Sequence, residues 1–537
     1  MLLLGGAVLR FSGLSFGQPP DATPNGTIHE AAALHPDEFL FVQRPLRMLL
    51  TDERNPKFFH NPSFLINTNY VVFWLTGERA NMTWDERADL SARSQAPFRL
   101  YITARTFSAL GGMLAVAATY AGARILSGHW GGIVAAAVVS ASLPMVQHAH
   151  YATTSSLAAG FVAVSVWASL AALRGTLDEA WIAPTNNNMP WPWLFVLGGA
   201  CAGLAAGNRY NAAAVSIVVF LAGCVLMWRA RRMVWWVLVG WILFPVVFVF
   251  TTPHVIFDTA FVWSEFQFIT NQYIGDEQNP LNVSPWLGLW YEVRYLVVFG
   301  VGLPGAVLVL IGVWRGWVMQ RIETVILLAF LLPYTYVVLR TIRPLGADQM
   351  LVPIVPTVAL FVGMGATRAS QYVSRWVIGG VVMLPLLWFS VPVVVNFTLE
   401  DNRYQAADWA EQHLPEGARV HLYGPYNAPL NPTQYEMTQT FGTGETLSLG
   451  DVESPKYDIV IVSDAWIRHF ERARYVDRDY AEAVLGAVDT LDAYRLYTEW
   501  SRWWVPGSED AMHSATYWHQ PGIRVYCLTE LGCGSLD

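Results

Sequence analysis

The stretch MVWWVLVGWILFPVVFVFTTP, residues 233–253, contains no Asp, Glu, Lys or Arg, and it indicates the class of this protein. A helix of about 20 apolar residues crosses the roughly 30 Å hydrocarbon layer of a bilayer. Residues 101–123 form a similar stretch that only Arg105 interrupts. The sequence therefore predicts a polytopic membrane protein. Further stretches without these charged residues lie at 131–147, 152–173, 192–206, 210–228, 296–314, 324–339, 350–367 and 377–398.

The composition agrees with a membrane protein. Charged residues make up 14% of the 537 residues, whereas soluble globular proteins average roughly 25%. The 24 Trp, 22 Tyr and 27 Phe suit membrane interfaces, and the four Cys are too few for a disulfide scaffold. The net charge is −8, so we expect no nucleic-acid partner.

The N-terminal stretch, residues 2–16, is apolar but short and carries Arg10. It lacks a basic start and a cleavage site, so we expect a first helix shortened by a late start codon and not a signal peptide. With the stretches above, this gives about eleven transmembrane helices.

Arginine distribution predicts the orientation, because cytoplasmic loops are enriched in Lys and Arg. One set of alternate short connections carries nine arginines and is assigned to the cytoplasm, while the opposite set carries four. The N-terminus is then cytoplasmic, and the loop 17–100 and residues 399–537 lie outside. The nine are Arg124, Arg174, Arg229, Arg231, Arg232, Arg315, Arg321, Arg368 and Arg375, and the four are Arg209, Arg294, Arg340 and Arg343.

Two domains are predicted. Residues 1–398 form the transmembrane domain, which includes the outer loop 17–100. Residues 399–537 form a small extracytoplasmic α/β domain, because short apolar runs alternate there with charged, helical stretches. The runs read as strands are ARVHLYG (418–424), YDIVIVSD (457–464) and IRVYCL (523–528), and the helical stretches are 403–413 and 466–486.

The first outer loop holds the most informative residues, in HPDEFLF (35–41) and NPKFFHNPSFLINTNYVVF (55–73). It is too long for an ordinary connection. Asp37 and Glu38 are adjacent carboxylates after Pro36, a pattern typical of a helix start, where the dipole favours negative charge. A carboxylate held there beside the bilayer is also a positioned general base, so both interpretations stay open.

Ionisable side chains gather at the predicted outer ends of several spans, where bare charge is costly and often marks a functional site. Snorkelling or capping of a last helical turn explains each one alone. Together with the carboxylate pair they suit a phosphate-bearing lipid substrate. These residues are Arg105, His148, His150, Arg209, His254, Asp258, Arg340 and Arg343.

The ordered series of motifs resembles the GT-C superfamily of polyprenyl-phosphate-sugar-dependent glycosyltransferases, in the branch of protein O-mannosyltransferases and lipid A aminoarabinose transferases. The resemblance covers most of residues 1–400 and implies an α-helical polytopic GT-C fold. No single motif is specific, but their order is. Besides the DE pair and NPKFFHNPSFLINTNY, the series comprises LYITARTFSALGGMLAVAATYAGARIL (100–126), HAHYATTSSLAAGF (148–161), GLAAGNRYNAAA (203–214) and TTPHVIFD (251–258).

The resemblance implies an inverting transfer at the outer face, from a polyprenyl-phosphate-linked sugar to a hydroxyl or amine of a lipid, glycan or protein acceptor. Asp37 would remove the acceptor proton, and Glu38 would orient Asp37 or the acceptor. Cationic residues would stabilise the leaving phosphate. The phosphate-binding candidates are Lys57, Arg105, Arg209 and Arg340, and the substrate-pocket candidates are His60, His150, Ser155, His254 and Asp258. We expect the Asp37 carboxyl to line a hollow near arginines from distant helices.

One position departs from the family. Many relatives carry an Asp in the second outer loop, where this chain reads YATTSS (151–156) with Ser155 at the corresponding position. Its absence weakens the case for a metal shared between two loops, although Asp258 is an alternative acid. We predict an enzyme that needs no cofactor and no metal.

Three other functions are considered. A transporter or flippase of lipid-linked sugars is disfavoured because we find no internal repeat and no polar groups at mid-membrane. An O-antigen ligase or polymerase would concentrate its chemistry in a large late loop, whereas the acids here lie in the first loop. A scaffold protein with a sensory outer domain also remains open.

Overall fold

The computed structural model describes residues 2–18, 37–78, 96–177, 191–274, 285–341, 347–424, 427–440, 457–463, 494–501 and 522–528. Up to residue 398 the described chain is helical. The helices are α1 Leu2–Phe11, α2 Glu38–Thr51, α3 Phe64–Leu75, α4 Phe98–Ala141, α5 Leu143–His150, α6 Thr154–Leu177, α7 Trp191–Asn208, α8 Ser216–Arg229, α9 Val234–Thr251, α10 His254–Phe257, α11 Thr259–Ile274, α12 Pro285–Tyr295, α13 Leu303–Met319, α14 Arg321–Thr341, α15 Val355–Ala369, α16 Arg375–Thr398 and α17 Asn402–His413.

Among the described residues, seven helices are long and apolar enough to cross a membrane, or eight if a pair bent by 99° near Gly302 counts as one span. Three shorter apolar helices, α1, α3 and α7, accompany them. The chain is therefore an integral membrane protein, but the predicted number of eleven spans is not confirmed.

Helix α4 contains one complete predicted span, 101–123, and the beginning of a second, 131–147. It is kinked at Gly128, whose φ of 77° lies in the left-handed region that glycine adopts without steric penalty. The helix ends at Ala141, and after Ser142 the chain starts α5, all of whose residues are buried. The predicted second span is therefore divided between two helices.

Small residues allow the central helices to pack closely. Helix α4 packs extensively against α6 and α15. A Cβ at Gly160 would lie 2.5 Å from the carbonyl oxygen of Gly111, and one at Gly111 would lie 2.7 Å from the backbone of Leu157. Such close backbone contact is the usual basis of helix association in membranes, where no hydrophobic force acts between helices. It fixes the start of α6, which carries Ser155.

The described residues of the C-terminal domain form the strands β1 Arg419–Tyr423, β2 Glu436–Thr440, β3 Ile459–Ser463, β4 Tyr494–Trp500 and β5 Ile523–Leu528. These strands make one sheet in the order β2-β1-β3-β5-β4. Strands β2, β1 and β3 are parallel, and β5 runs antiparallel to both β3 and β4. Helix α17 packs its alanines against this sheet. The three predicted strands and the helix at 403–413 are confirmed, whereas 466–486 lies outside the described residues.

Candidate active site

Asp37 immediately precedes helix α2. Its backbone is helical, and its carbonyl oxygen accepts the amide of Leu40 at 3.1 Å, but its side chain makes no capping hydrogen bond to the helix. The residue is half-buried. The Asp37 side chain therefore does not act as the N-cap of α2.

Glu38, the next residue, forms a fully buried ion pair with Arg105 of α4. The Glu38 Oε1 accepts Arg105 Nε at 2.8 Å, and Oε2 accepts Nη2 at 3.1 Å. Oε1 also accepts the amide of Ala152 at 2.7 Å. Both side chains have 0% exposure. The pair fixes the first turn of α2 against α4 and against the segment that leads into α6.

Arg105 uses its remaining nitrogen, Nη1, on the backbone. It donates to the carbonyl oxygens of Leu14 at 2.7 Å and Phe16 at 2.8 Å, and its guanidinium lies 3.5 Å from the centre of the Phe16 ring. Each guanidinium nitrogen thus has a protein partner, and none faces solvent. This geometry does not fit the predicted contact between Arg105 and the donor phosphate. The same bonds bury the Glu38 carboxylate, so it is not placed to orient an acceptor as predicted.

Arg209 follows the last residue of α7 and is only 4% exposed. Its Nη1 donates to Ser155 Oγ at 2.9 Å and to the carbonyl oxygen of Gln349 at 2.8 Å. Its other two nitrogens have no hydrogen-bond partner, and the guanidinium no carboxylate partner, among the side chains that the structure describes. A buried cation without a counter-ion is unfavourable, so this arginine is a candidate for binding an anion.

The loop between α2 and α3 carries Lys57 and is held by α10 and α11. Asn55 Nδ2 donates to Asp258 Oδ2 at 3.1 Å, and the backbone amide of Lys57 donates to Asn55 Oδ1 at 2.9 Å. The Lys57 ammonium is half-exposed and pairs with Glu53 at 2.5 Å. Asp258 thus contacts the loop that carries Lys57, and it holds this loop through the side-chain amide of Asn55.

His60 lies in the same loop against α11. Its Nε2 is 3.3 Å from Glu265 Oε2, and its ring stacks on Phe268 with 5.1 Å between centroids. Burial lowers the pKa of His60, while the charges of Glu265 and Asp37 oppose that shift. The Asp37 carboxylate therefore lies close enough to influence this histidine.

The other predicted pocket residues are placed differently. His150 is fully buried, with its ring nitrogens 2.8 Å and 2.9 Å from the carbonyl oxygens of Val146 and Ser12, so it supports the structure and does not line an open pocket. His254 packs on Phe59, and burial lowers its pKa. The Arg340 side chain lies outside the described residues.

Sequence analysis missed Glu265 and Tyr210. The Tyr210 hydroxyl donates to the carbonyl oxygen of Phe59 at 3.1 Å, and Glu265 accepts the Phe59 amide at 3.4 Å. Glu265 is the only acid in the otherwise uncharged helix α11, a signal that could have identified it. Tyr210 carries no such signal.

No group of three or more His, Cys, Asp and Glu side chains comes together as a metal site in the described part of the chain. The prediction of metal independence stays a prediction. Asp258 and Ser155 both already hydrogen-bond to protein side chains.

Part of the sequence matches a known protein family. Residues 55–269, less than half of the chain, match the model of the dolichyl-phosphate-mannose-protein mannosyltransferase family. This range contains Lys57, Arg105 and Arg209 but not Asp37 or Glu38. No curated protein matches the chain.

The fold is similar to that of ArnT from Cupriavidus metallidurans in the apo state, with a TM-score of 0.50 at 13% identity, over 99% of this chain and 98% of that one. The structure of the same protein bound to undecaprenyl phosphate has a TM-score of 0.49 at 14% identity, over 98% of this chain and 97% of that one. The oligosaccharyltransferase of Archaeoglobus fulgidus has a TM-score of 0.46 at 10% identity, over 93% of this chain and 72% of that one. The family match and the fold of apo ArnT support the predicted resemblance to the GT-C superfamily. Residues 55–269 thus carry the signature of a mannosyltransferase family, and the fold of the chain is similar to that of ArnT.

Proposed function

We propose that the chain transfers a sugar from a polyprenyl-phosphate donor to an acceptor hydroxyl or amine, with inversion, at the outer face of the membrane. The observation that carries this proposal is the buried Arg209 guanidinium, which has no carboxylate partner among the described side chains. A lipid phosphate is an anion of suitable charge and hydrogen-bonding capacity for it, since guanidinium and phosphate make strong, charge-assisted hydrogen bonds.

Asp37 is assigned as the general base. It takes the proton of the acceptor O–H or N–H, and the acceptor atom forms a bond to the anomeric carbon from the side opposite the phosphate. The bond between that carbon and the phosphate oxygen breaks, and the electron pair stays on the leaving lipid phosphate. Arg209 then stabilises the developing negative charge.

The two assigned groups are linked through a short segment. Ala152 donates its amide to Glu38, beside Asp37, and Ser155 accepts from Arg209. Three residues of chain span at most about 10 Å. The same short segment therefore contacts both Glu38, the neighbour of Asp37, and Arg209, which supports the action of the base and the phosphate binder on opposite faces of one anomeric carbon.

The remaining predicted residues keep supporting roles. Lys57 is a second phosphate binder, because its half-exposed ammonium can exchange Glu53 for an anion. His60 and Asp258 shape the loop that faces the acceptor. Arg105 is reassigned from phosphate binding to holding Glu38.

The decisive experiment is an in vitro transfer assay with purified protein and a panel of polyprenyl-phosphate sugars. Asp37→Asn should lower the rate about 10²- to 10⁴-fold, the usual contribution of a general base. Asp52→Asn, at the exposed C-terminal end of the same helix, is the matched control and should keep the wild-type rate. If no donor supports transfer or hydrolysis, or if Asp37→Asn is silent, the proposal fails and a transporter or scaffold function is favoured.

We propose that the transfer needs no metal, because Arg209 supplies the positive charge at the leaving group. The rate should be unchanged by EDTA. Loss of activity on chelation, with recovery on adding a divalent ion, would contradict this.

The outer-face orientation is part of the proposal and is supported by the nine-to-four distribution of arginines. Alkaline phosphatase fused after residue 537 should be active, because that enzyme matures only outside the cytoplasm. An inactive fusion that is nevertheless expressed would reverse the orientation.

A further inference from the structure

The turn segment, residues 12–17 with the sequence SGLSFG, connects three distant parts of the molecule through its carbonyl oxygens. Ser12 O lies 2.9 Å from His150 Nε2 of α5. Leu14 and Phe16 accept from Arg105 of α4. Gly17 O, which is buried, accepts from the Tyr404 hydroxyl at 3.0 Å. The last of these donors belongs to the C-terminal domain.

Packing leaves the turn segment little room to shift. The Phe16 ring is 4.7 Å from the ring of Phe397 and 5.9 Å from that of Tyr151, and the Arg105 guanidinium lies over it. Gly13 has a φ of +83°, and a Cβ there would lie 2.7 Å from the backbone of Phe397. A displacement at one end of the segment is therefore passed to the other end.

Tyr404 is itself held firmly. It lies in the first turn of α17, whose N-cap Asp401 accepts the Arg403 amide at 3.0 Å and pairs with the Arg403 guanidinium at 2.5 Å. All three side chains are buried. The same helix packs on the sheet of the C-terminal domain through Ala406 and Ala410.

We infer that Tyr404 is a positioning residue for Asp37, and that the C-terminal domain is thereby a working part of the catalytic unit. The chain of contacts runs from the Tyr404 hydroxyl to the turn segment, from there to Arg105, and from Arg105 to Glu38, next to Asp37. This inference rests on the proposed role of Asp37 as the general base.

The route predicts which kinetic constant changes. Arg209 donates to Ser155 and Gln349 and makes no hydrogen bond to the turn segment. Because Gln349 holds Arg209 separately from Glu38, donor binding should depend on Tyr404 less than the placement of the base does. A misplacement of the base of about 1 Å can lower a rate about 10²-fold. Loss of the Tyr404 hydroxyl should therefore lower kcat much more than it raises KM for the donor.

The test compares Tyr404→Phe with Tyr435→Phe in the full-length protein. The Tyr435 hydroxyl donates to Ala410 O of the same helix at 3.1 Å and is also buried, but it faces the sheet. Tyr404→Phe should lower kcat about five- to fiftyfold, within the range for a misplaced base. It should also speed amide hydrogen exchange at the start of α2. Tyr435→Phe should do neither.

The outcomes separate the two proposals. If wild-type protein transfers no sugar, or if Asp37→Asn keeps full activity, the proposed function fails. The other case is that wild type transfers sugar and Asp37→Asn loses activity, while Tyr404→Phe keeps the wild-type kcat or changes it no more than Tyr435→Phe does. In that case only the positioning role of Tyr404 is overturned. A rise in donor KM with unchanged kcat would also overturn it.

Discussion

Arg105 and Arg209 are two buried arginines at the same end of the membrane domain, and their surroundings differ. Arg105 has a carboxylate, two carbonyl oxygens and an aromatic ring around its guanidinium. Arg209 has one hydroxyl and one carbonyl oxygen. The fold neutralises the first charge and leaves the second without a counter-ion among the described side chains.

This difference is the basis for proposing a structural role for Arg105 and a binding role for Arg209. Removing charge from water is unfavourable, and a protein offsets this with an ion pair where the charge serves the fold. Where such compensation is missing, stability is lower, and a ligand of opposite charge can restore it. Sequence position alone assigned both arginines to the phosphate, and only the environments distinguish them.

The largest effect is expected from breaking the Glu38–Arg105 pair. Glu38→Ala leaves Arg105 buried without its carboxylate and should lower the free energy of unfolding by about 3–5 kcal/mol. Thermal unfolding in detergent measures it. Glu53→Ala is the matched control, because its pairs with Arg47 and Lys57 are partly exposed and contribute roughly 0–1 kcal/mol each.

A double variant, Glu38→Met with Arg105→Met, sharpens the same prediction. Two apolar side chains remove both charges together, so much of the lost stability should return. A Glu38→Ala protein as stable as wild type would show that the pair does not hold this end of the domain.

Arg209→Met should have the opposite signature. Removing an uncompensated charge should leave the unfolding free energy unchanged or raise it. Affinity for a polyprenyl phosphate should fall about 10- to 100-fold, the equivalent of about one charge-assisted hydrogen bond. Arg209→Lys keeps the charge without the planar guanidinium fork, so its lipid affinity should lie between those of wild type and Arg209→Met.

Lipid binding in detergent micelles and thermal unfolding provide the two readouts for Arg209. If Arg209→Met destabilises the protein as strongly as Glu38→Ala does, then the two arginines are equivalent and the comparison is wrong. A normal lipid affinity would remove Arg209 from the binding site.

Ser155→Asp would convert the surroundings of Arg209 into those of Arg105. The new carboxylate, beside Nη1, should pair with the guanidinium and compete with the phosphate, which lowers lipid affinity about tenfold, or roughly 1.4 kcal/mol. Ser155→Asn has the same size without charge and should bind nearly as wild type. Equal affinities for the two variants would mean that charge at this position is irrelevant.

The sequence predicts those helices and strands that are removed from water, because their residues are apolar. Runs without charge predict the helices, and the apolar strands β1, β3 and β5 were predicted because they lie inside the sheet. Strands β2 (EMTQT) and β4 (YRLYTEW) were missed because they are the two edges, where polar side chains face solvent.

The site was only partly predictable for a similar reason. The adjacent carboxylates Asp37 and Glu38 are conspicuous in sequence, but the partner of Glu38 lies 67 residues away, so the pairing that separates their roles depends on tertiary structure. Charge-bearing positions can be recognised from a sequence. Whether a second charge neutralises them cannot.

The smallest effect is expected at His60, which combines partial burial with a nearby carboxylate. Burial lowers the pKa of His60 below its ordinary value despite the Glu265 charge, so the folded protein resists its protonation. The unfolded chain then binds more protons just below about pH 6.5. This contribution to stability is complete above that pH and declines as the pH falls.

The comparison of wild type with His60→Gln isolates this contribution, because Glu265 and Asp37 titrate in both proteins. The difference in unfolding free energy between pH 7.5 and pH 5.5 should be smaller in the variant, and the change should be modest since both side chains are partly exposed. If wild type instead gains stability relative to the variant as the pH falls, the 3.3 Å contact between His60 and Glu265 outweighs burial. His60 would then resemble Arg105, a cation that the fold neutralises, and not Arg209.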